Sequence, residues 1–172
     1  ATPLQVLQTG GDCADKSRLL CAMLREVGIQ STMVMCFHRI TGVATHTVVE
    51  AETDDGAFMV VDPVYGLYFP KSKQGGFYSL LELRADPTIL DRRLADLLVS
   101  APRRSPLHSY NPTSAAYDNA CSIHWNKNAA TRAAQFLLAS WYGNEVYRLR
   151  RPLILEEPKL FIASALVLTA VC

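Results

Sequence analysis

Residues 10–30 read GGDCADKSRLLCAMLREVGIQ, a stretch that predicts a helix beginning at a cysteine. Its apolar residues recur at spacings of one, three and four, which is the pattern of a helix with one buried stripe over 14–27. Asp12 stands where an N-cap belongs, and Gly28 stands at the left-handed position that ends many helices. Cys13 is therefore expected in the first turn. The predicted stripe consists of Leu19, Leu20, Met23, Leu24 and Val27.

Three short segments after this helix are rich in Val, Thr, Met and Phe and are separated by turn residues. They predict strands at 31–38, 45–52 and 57–62. A helix followed by an antiparallel meander is typical of an α+β domain. The remaining predictions are helices at 77–84, 88–99 and 128–141, and a long loop at 100–119 that is a candidate border of a substrate cleft.

Cys13 has the surroundings that a nucleophilic thiol requires. A cysteine transfers acyl groups only as its thiolate, and a free thiol with a pKa near 8.5 must be assisted by a helix N-terminus or a neighbouring imidazolium. Gly10 and Gly11 precede Cys13 and let the backbone and a substrate approach closely. Backbone N–H groups at this position are also placed to receive an oxyanion. Cys13 is the predicted nucleophile.

His46 and Asp62 are the predicted base and orienting carboxylate, because His46 lies near the start of one strand and Asp62 ends the next. The hairpin between these strands decides whether they meet. A three-residue loop at 54–56, with Gly56 left-handed, makes them diagonal neighbours on one face, roughly 7–8 Å apart at the backbone. A two-residue turn at 55–56 places them on opposite faces. The catalytic hypothesis requires the longer loop.

Three motifs in this order resemble the core of the transglutaminase-like superfamily. They are a Gly-x-Cys helix from Gly11 to Ile29, a strand with His46, and Val-x-Asp-Pro from Val60 to Pro63. The resemblance covers about 10–66. It implies a papain-like fold in which the nucleophile helix packs on an antiparallel sheet, with additional C-terminal helices and a Cys13-His46-Asp62 triad. The superfamily includes transglutaminases, peptidases, amidases, deglycosylating enzymes and inactive scaffolds, so the resemblance selects no substrate.

The sequence departs from the family pattern in two places. The family often has His-Ala-Trp, whereas this chain has His46-Thr47-Val48 and so lacks that aromatic cleft wall. Only twelve residues precede Cys13, which leaves Gln8 as the candidate oxyanion side chain and Gln5 as a weaker one. The stretch 65–69 is aromatic enough to line a cleft, with ordinary packing as the alternative.

The leading hypothesis is cysteine-dependent acyl transfer on a peptide-type amide through a thioester at Cys13. Hydrolysis is favoured over transamidation because the chain is small and has no recognisable accessory domain. The expected partner is a peptide or protein substrate, and no metal or organic cofactor is implied. The alternative is an inactive module that uses the same fold to bind a peptide or glycan, close to a membrane.

Length and composition fit one compact domain over residues 1–172. The chain is 49% hydrophobic and 19% charged, which places it outside the disordered range. A formal charge of +1 gives no reason to expect nucleic acid as a partner. The five cysteines have no CxxC pair, so neither a disulfide framework nor a zinc site is expected.

The stretch 160–172 is apolar apart from Ser164 and Thr169. Thirteen residues are too few to cross a bilayer, which needs about 20. Two interpretations stay open: a buried terminal element, or a shortened membrane anchor that would give membrane association. Localisation follows that choice, cytoplasmic in the first case and membrane-associated or periplasmic in the second.

Other polar residues give weaker hypotheses. His124 before Trp125-Asn126, followed by 141–144, echoes the His and Asn order of papain-like proteases, but His124 precedes a helix, where a surface or capping role is common. His38, His108 and His124 with Cys121 lack the ligand spacing of a tetrahedral metal site. Cys21 and Cys36 are expected in the core.

Overall fold

The computed structural model describes residues 2–71, 75–112 and 115–150, and within them the chain forms one antiparallel sheet with helices around it. The sheet order is β4-β3-β2-β1-β5. The strands are β1 (Ser31–Phe37), β2 (Ala44–Glu52), β3 (Phe58–Asp62), β4 (Leu67–Tyr68) and β5 (Ala116–Cys121). The helices are α1 (Pro3–Thr9), α2 (Cys13–Glu26), α3 (Leu80–Ala85), α4 (Thr88–Ser100) and α5 (Ala129–Tyr142). The predicted α+β class is confirmed.

Helix α2 begins and ends as its sequence predicts. The Asp12 side chain accepts a hydrogen bond from the Asp15 N–H at 2.8 Å, and Gly28 has a φ of +79°. The predicted buried stripe is wrong at Met23, which is 55% exposed, and at Val27, which is 70% exposed. Its three leucines are half-buried. Periodicity identifies the residues that share a side of a helix, but not how much of that side meets a sheet.

The hairpin between β2 and β3 has the longer loop. Thr53 donates its N–H to the Ala57 carbonyl at 2.8 Å, and Gly56 has a φ of +76°. The pairing runs from Glu52 with Phe58 to Val49 with Val61. Paired residue numbers therefore add to an even value, which confirms the register that the triad requires.

The sheet opens where β3 ends, and α2 meets it there. Pairing with β3 stops at Val49, and Pro63 follows the last residue of β3, so Thr47 lies beyond the paired stretch. The buried Ser17 hydroxyl donates to the Thr47 carbonyl at 2.9 Å. This hydrogen bond fixes the first turns of α2 against β2.

Two apolar clusters pack around the sheet, whose side chains alternate between its two faces. The larger cluster includes Val34 and Val48 with buried residues of α3 and α4. The smaller cluster includes Phe37 and Trp125 and is partly covered by α5. Val48 follows His46 by two residues on β2, so the larger cluster lies on the sheet face that also carries His46 and Asp62.

Strand β5 is a correction to the predicted loop at 100–119. That region contains a 3₁₀ turn at Pro106–Ser109 and the start of β5, which pairs with β1 at the sheet edge. Asp and Asn are disfavoured in strands, so Asp118 and Asn119 kept the sequence pattern from predicting this strand. Asn119 instead bonds the Phe37 backbone through its side chain, at 3.0 Å to the carbonyl and 3.3 Å from the N–H.

The other helices differ from prediction mainly at their ends. Helix α3 starts at Leu80 rather than Phe77, because the Ser79 side chain caps it and forms a capping box with Glu82. Helix α5 starts at Ala129 with Asn128 as its N-cap, one residue later than predicted, and none of its described side chains is fully buried. Helix α1 was not predicted from the sequence. Its capping box joins Thr2 and Gln5.

Among the described residues, no helix is both long and apolar enough to cross a membrane. The apolar stretch 160–172 lies outside the described residues. The assignment of 1–172 to a single domain stays a prediction.

Candidate active site

His46 and Asp62 are in direct contact. His46 Nε2 lies 2.6 Å from Asp62 Oδ2, and the two side chains are almost completely removed from solvent, with Asp62 0% and His46 7% exposed. An ionised carboxylate only accepts hydrogen bonds, so the contact requires the proton on Nε2. Nδ1 of the neutral ring is then an acceptor. The side chains meet as diagonal neighbours across β2 and β3.

The second oxygen of Asp62 is bound by its own turn. Oδ1 accepts from the Val64 N–H at 2.9 Å and from the Tyr65 N–H at 3.3 Å. A buried carboxylate is stable only when its oxygens have partners, and here three donors fix its plane. The orientation of Asp62, and through it of His46, follows from the turn after β3.

Cys13 is the first residue of α2 and is half-buried. Ser17 lies one turn later on the same side of the helix and bonds the carbonyl of Thr47, the residue after His46. Cys13 therefore lies near the histidine end of β2. Burial raises the pKa of the Tyr65 phenol, and electrostatic interactions with Asp62 and then with Cys13 add smaller contributions. Among the described residues, no hydrogen bond joins Cys13 to His46.

The start of α2 also has the open backbone that an oxyanion site needs. The first N–H groups of a helix have no acceptor within the helix. A Cβ added at Gly11 would lie 2.8 Å from the Cβ of Asp15, so a side chain there would collide with the first turn. Gly11 is needed for this close approach of the chain to α2.

The two glutamines considered for the oxyanion lie on α1. Gln8 is exposed. Among the described residues, no hydrogen bond of its side chain supports an oxyanion role. Gln5 accepts from the Thr2 N–H at 2.9 Å, so its side chain serves the capping box of α1. The role of Gln8 stays a prediction.

Cys36 lies directly opposite His46 in the β1–β2 ladder, yet its surroundings differ from those of Cys13. It is completely buried, and this burial, with a smaller contribution from the Asp62 charge, raises the pKa of its thiol. A thiol held neutral is a poor nucleophile. The prediction that Cys36 is a core residue is confirmed, whereas Cys21 is only half-buried.

Two tyrosines beside the histidine were missed as a pair. The Tyr65 ring centroid lies 5.5 Å from that of His46, and the Tyr110 ring packs edge-on against Tyr65 at 4.8 Å. Aromatic rings therefore lie beside His46 although the chain lacks the His-Ala-Trp pattern. The only sequence signal for an aromatic wall was the aromatic stretch 65–69 after Pro63. Its residues have different roles, because Tyr65 lies beside His46 whereas Phe69 is a core residue.

The other histidines have local partners. The His124 ring packs 4.7 Å from Phe37 and lines a cavity of about 260 Å³ with Arg84 and Asp118. His38 Nδ1 accepts from two backbone N–H groups of its own turn, and His108 bonds the Pro102 carbonyl. No cluster of three metal-ligating side chains occurs in the part of the chain that the structure describes.

Comparison with known proteins gives one match. No curated protein and no solved structure matches the chain. The matching family model has Cys13, His46 and Asp62 within its bounds, and at the family level it supports cysteine-based acyl transfer. Residues 1–63 match the transglutaminase-like superfamily, which confirms the resemblance drawn from the three motifs.

Proposed function

We propose that this protein is a transglutaminase-like enzyme that transfers acyl groups from peptide-type amides through Cys13. The observation that supports this most is the 2.6 Å contact between buried Asp62 and His46, beside the first turn of α2. A neutral imidazole bound in this way has one nitrogen fixed and one free to accept the proton of a thiol.

The chemistry has two stages. Nδ1 of His46 takes the thiol proton while the Cys13 sulfur attacks the amide carbon, and N–H groups at the start of α2 receive the negative oxygen. The imidazolium then gives its proton to the departing amine, the carbon–nitrogen bond breaks, and a thioester remains. Asp62 stabilises the imidazolium in between.

Water is the proposed acceptor in the second stage, because hydrolysis requires no separate site for an amine. His46 deprotonates the water, the oxygen attacks the thioester carbon, and the proton returns to the sulfur as the acid leaves. The papain-like arrangement of this fold is part of the same proposal. Its support is the packing of α2 against β1 and β2.

The test is a burst experiment with p-nitrophenyl acetate, an activated acyl donor. We expect one equivalent of nitrophenolate in the burst and an acetyl group on the Cys13 peptide by mass spectrometry. Cys13→Ala abolishes both, whereas Cys21→Ala, a half-buried cysteine on the same helix, leaves both unchanged. An added primary amine measures the partition between hydrolysis and transamidation.

A wild-type protein that gives no burst and no adduct on Cys13 contradicts the proposal. That result favours the binding module, in which the fold is kept and the chemistry is lost.

A further inference from the structure

Tyr65 touches both partners of the buried pair. Its ring faces the His46 ring at 5.5 Å, with an angle of 54° between the planes. Its backbone N–H donates to Asp62 Oδ1 at 3.3 Å. A movement of Tyr65 therefore acts on the carboxylate and the imidazole together.

Tyr110 supports Tyr65 from behind. The two rings form an edge-to-face pair at 4.8 Å, an arrangement that aromatic side chains favour. The Tyr110 hydroxyl donates to the Ala115 carbonyl at 3.0 Å, and burial raises the pKa of this phenol, so it stays a donor. The chain segment after the turn at Pro106–Ser109 is thus joined to the site through two rings.

The histidine needs such support for a geometric reason. Its hydrogen bond to Asp62 fixes the position of Nε2 but leaves the ring plane free to tilt about that contact. The tilt decides whether Nδ1 points at the sulfur, and small errors of aim slow proton transfer strongly. A packed aromatic ring restricts the tilt.

We propose that Tyr65 and Tyr110 are positioning residues, which hold the plane of the His46 imidazole so that Nδ1 faces Cys13. The inference rests on the proposed function, since it assigns these rings a role in the same reaction. The ring of Tyr65 acts directly on His46, and Tyr110 acts only through Tyr65.

The test uses the acylation rate and the pH dependence of Cys13 alkylation by iodoacetamide. Tyr65→Phe keeps the ring and stays within about twofold of wild type. Tyr65→Leu keeps most of the volume and slows acylation about tenfold, the size expected when one aromatic pair is lost. Its alkylation profile moves towards that of an ordinary thiol. Tyr68→Leu is the matched control, because Tyr68 lies on nearby β4 and packs on Phe77.

A double-mutant cycle tests the order of the two rings. Tyr110→Leu slows acylation in the wild-type background and adds nothing to Tyr65→Leu, because coupled residues are not additive. Additive effects, or a Tyr65→Leu variant with the wild-type alkylation profile, overturn the inference while the burst on Cys13 survives. Loss of the burst in wild type itself removes the proposed function and this inference with it. The far-ultraviolet circular dichroism spectrum of each variant shows whether it is folded.

Discussion

Asp62 illustrates what one residue contributes to the site. Its two oxygens have different tasks: Oδ2 binds His46, and Oδ1 binds the turn at Val64 and Tyr65. An asparagine could keep the turn, because its carbonyl oxygen still accepts the two backbone N–H groups. Its amide would then donate to Nε2 and force the ring proton onto Nδ1, the nitrogen that must accept from the thiol.

We therefore expect Asp62→Asn to remain folded and to acylate Cys13 more slowly by about ten-thousandfold, the loss known for a triad with the wrong histidine tautomer. Stopped-flow measurement of the nitrophenolate burst gives the rate. Asp54→Asn in the exposed hairpin loop is the control and should leave the rate unchanged. A fast Asp62→Asn variant would show that the carboxylate does not set the tautomer.

Sequence reasoning made the contact of His46 with Asp62 depend on the length of one hairpin loop, because strand alternation and loop length together determine it. The structure has the longer loop that the catalytic hypothesis requires. Sequence reasoning could not predict Tyr65 and Tyr110 as a pair, since the two rings come from turns far apart in the chain. Side-chain direction in such turns has no period to follow. Cys36 lies directly opposite His46, and its complete burial distinguishes it from the half-buried Cys13.

At the scale of the element, one buried hydrogen bond joins helix α2 to strand β2. Ser17 is the single fully buried residue of α2, and its acceptor is the Thr47 carbonyl. Removing the hydroxyl leaves that carbonyl buried without this donor.

Ser17→Ala is expected to lower the free energy of unfolding by about 1–3 kcal/mol, the cost of a buried unsatisfied group. Urea denaturation followed by circular dichroism measures it. Ser140→Ala is the matched control, because Ser140 is exposed and bonds only a carbonyl of its own helix. Equal effects of the two changes would mean that the α2–β2 contact does not depend on Ser17.

The β2–β3 hairpin makes a second element-scale prediction, because Gly56 is left-handed. Gly56→Ala should destabilise the protein by about 1–2 kcal/mol, the cost of a Cβ in this conformation, and Gly56→Asn should cost less. Thermal unfolding of both variants ranks them. If alanine is tolerated as well as asparagine, the loop does not need its left-handed residue.

Elements with a strong period were predicted well, and elements without one were not. Strands β1 to β3 and helices α2, α4 and α5 were found within a few residues. Strand β5 was missed because it contains Asp118 and Asn119, two residue types that are disfavoured in strands. Helix α1 was missed because seven residues are too few to show a helical period.

At the scale of the whole molecule, a buried ion pair joins the sheet to the C-terminal part of the described chain. Glu50 is 2% exposed and accepts from Arg148 Nε at 3.1 Å and from the Leu80 N–H at 2.9 Å. The Arg148 guanidinium also covers the Phe58 ring at 3.5 Å. One carboxylate thus connects β2, the start of α3 and the 3₁₀ helix at Gly143–Arg148.

Burial raises the pKa of Glu50 above its ordinary 4.5, and Arg148 and the Leu80 N–H oppose the rise. Because the pKa of Glu50 is higher in the folded than in the unfolded state, its protonation favours the fold fully below pH 4.5. This contribution is lost as the pH rises through the pKa of the folded state. Arg148→Met removes an opposing charge, so the loss grows. We expect a destabilisation of about 3 kcal/mol at pH 7.5 and clearly less at pH 4.5. Arg150→Met, at an exposed site, is the control. A pH-independent effect contradicts this account.

The most direct test of the central claim is alkylation of Cys13 by iodoacetamide at pH 6, where an ordinary thiol is under about 1% ionised. Peptide-level mass spectrometry follows Cys13 and Cys21 in the same molecule. The account predicts that Cys13 reacts at least about tenfold faster than Cys21 and that His46→Ala removes the difference. A Cys13 that reacts no faster than Cys21, or that keeps its rate without His46, contradicts it.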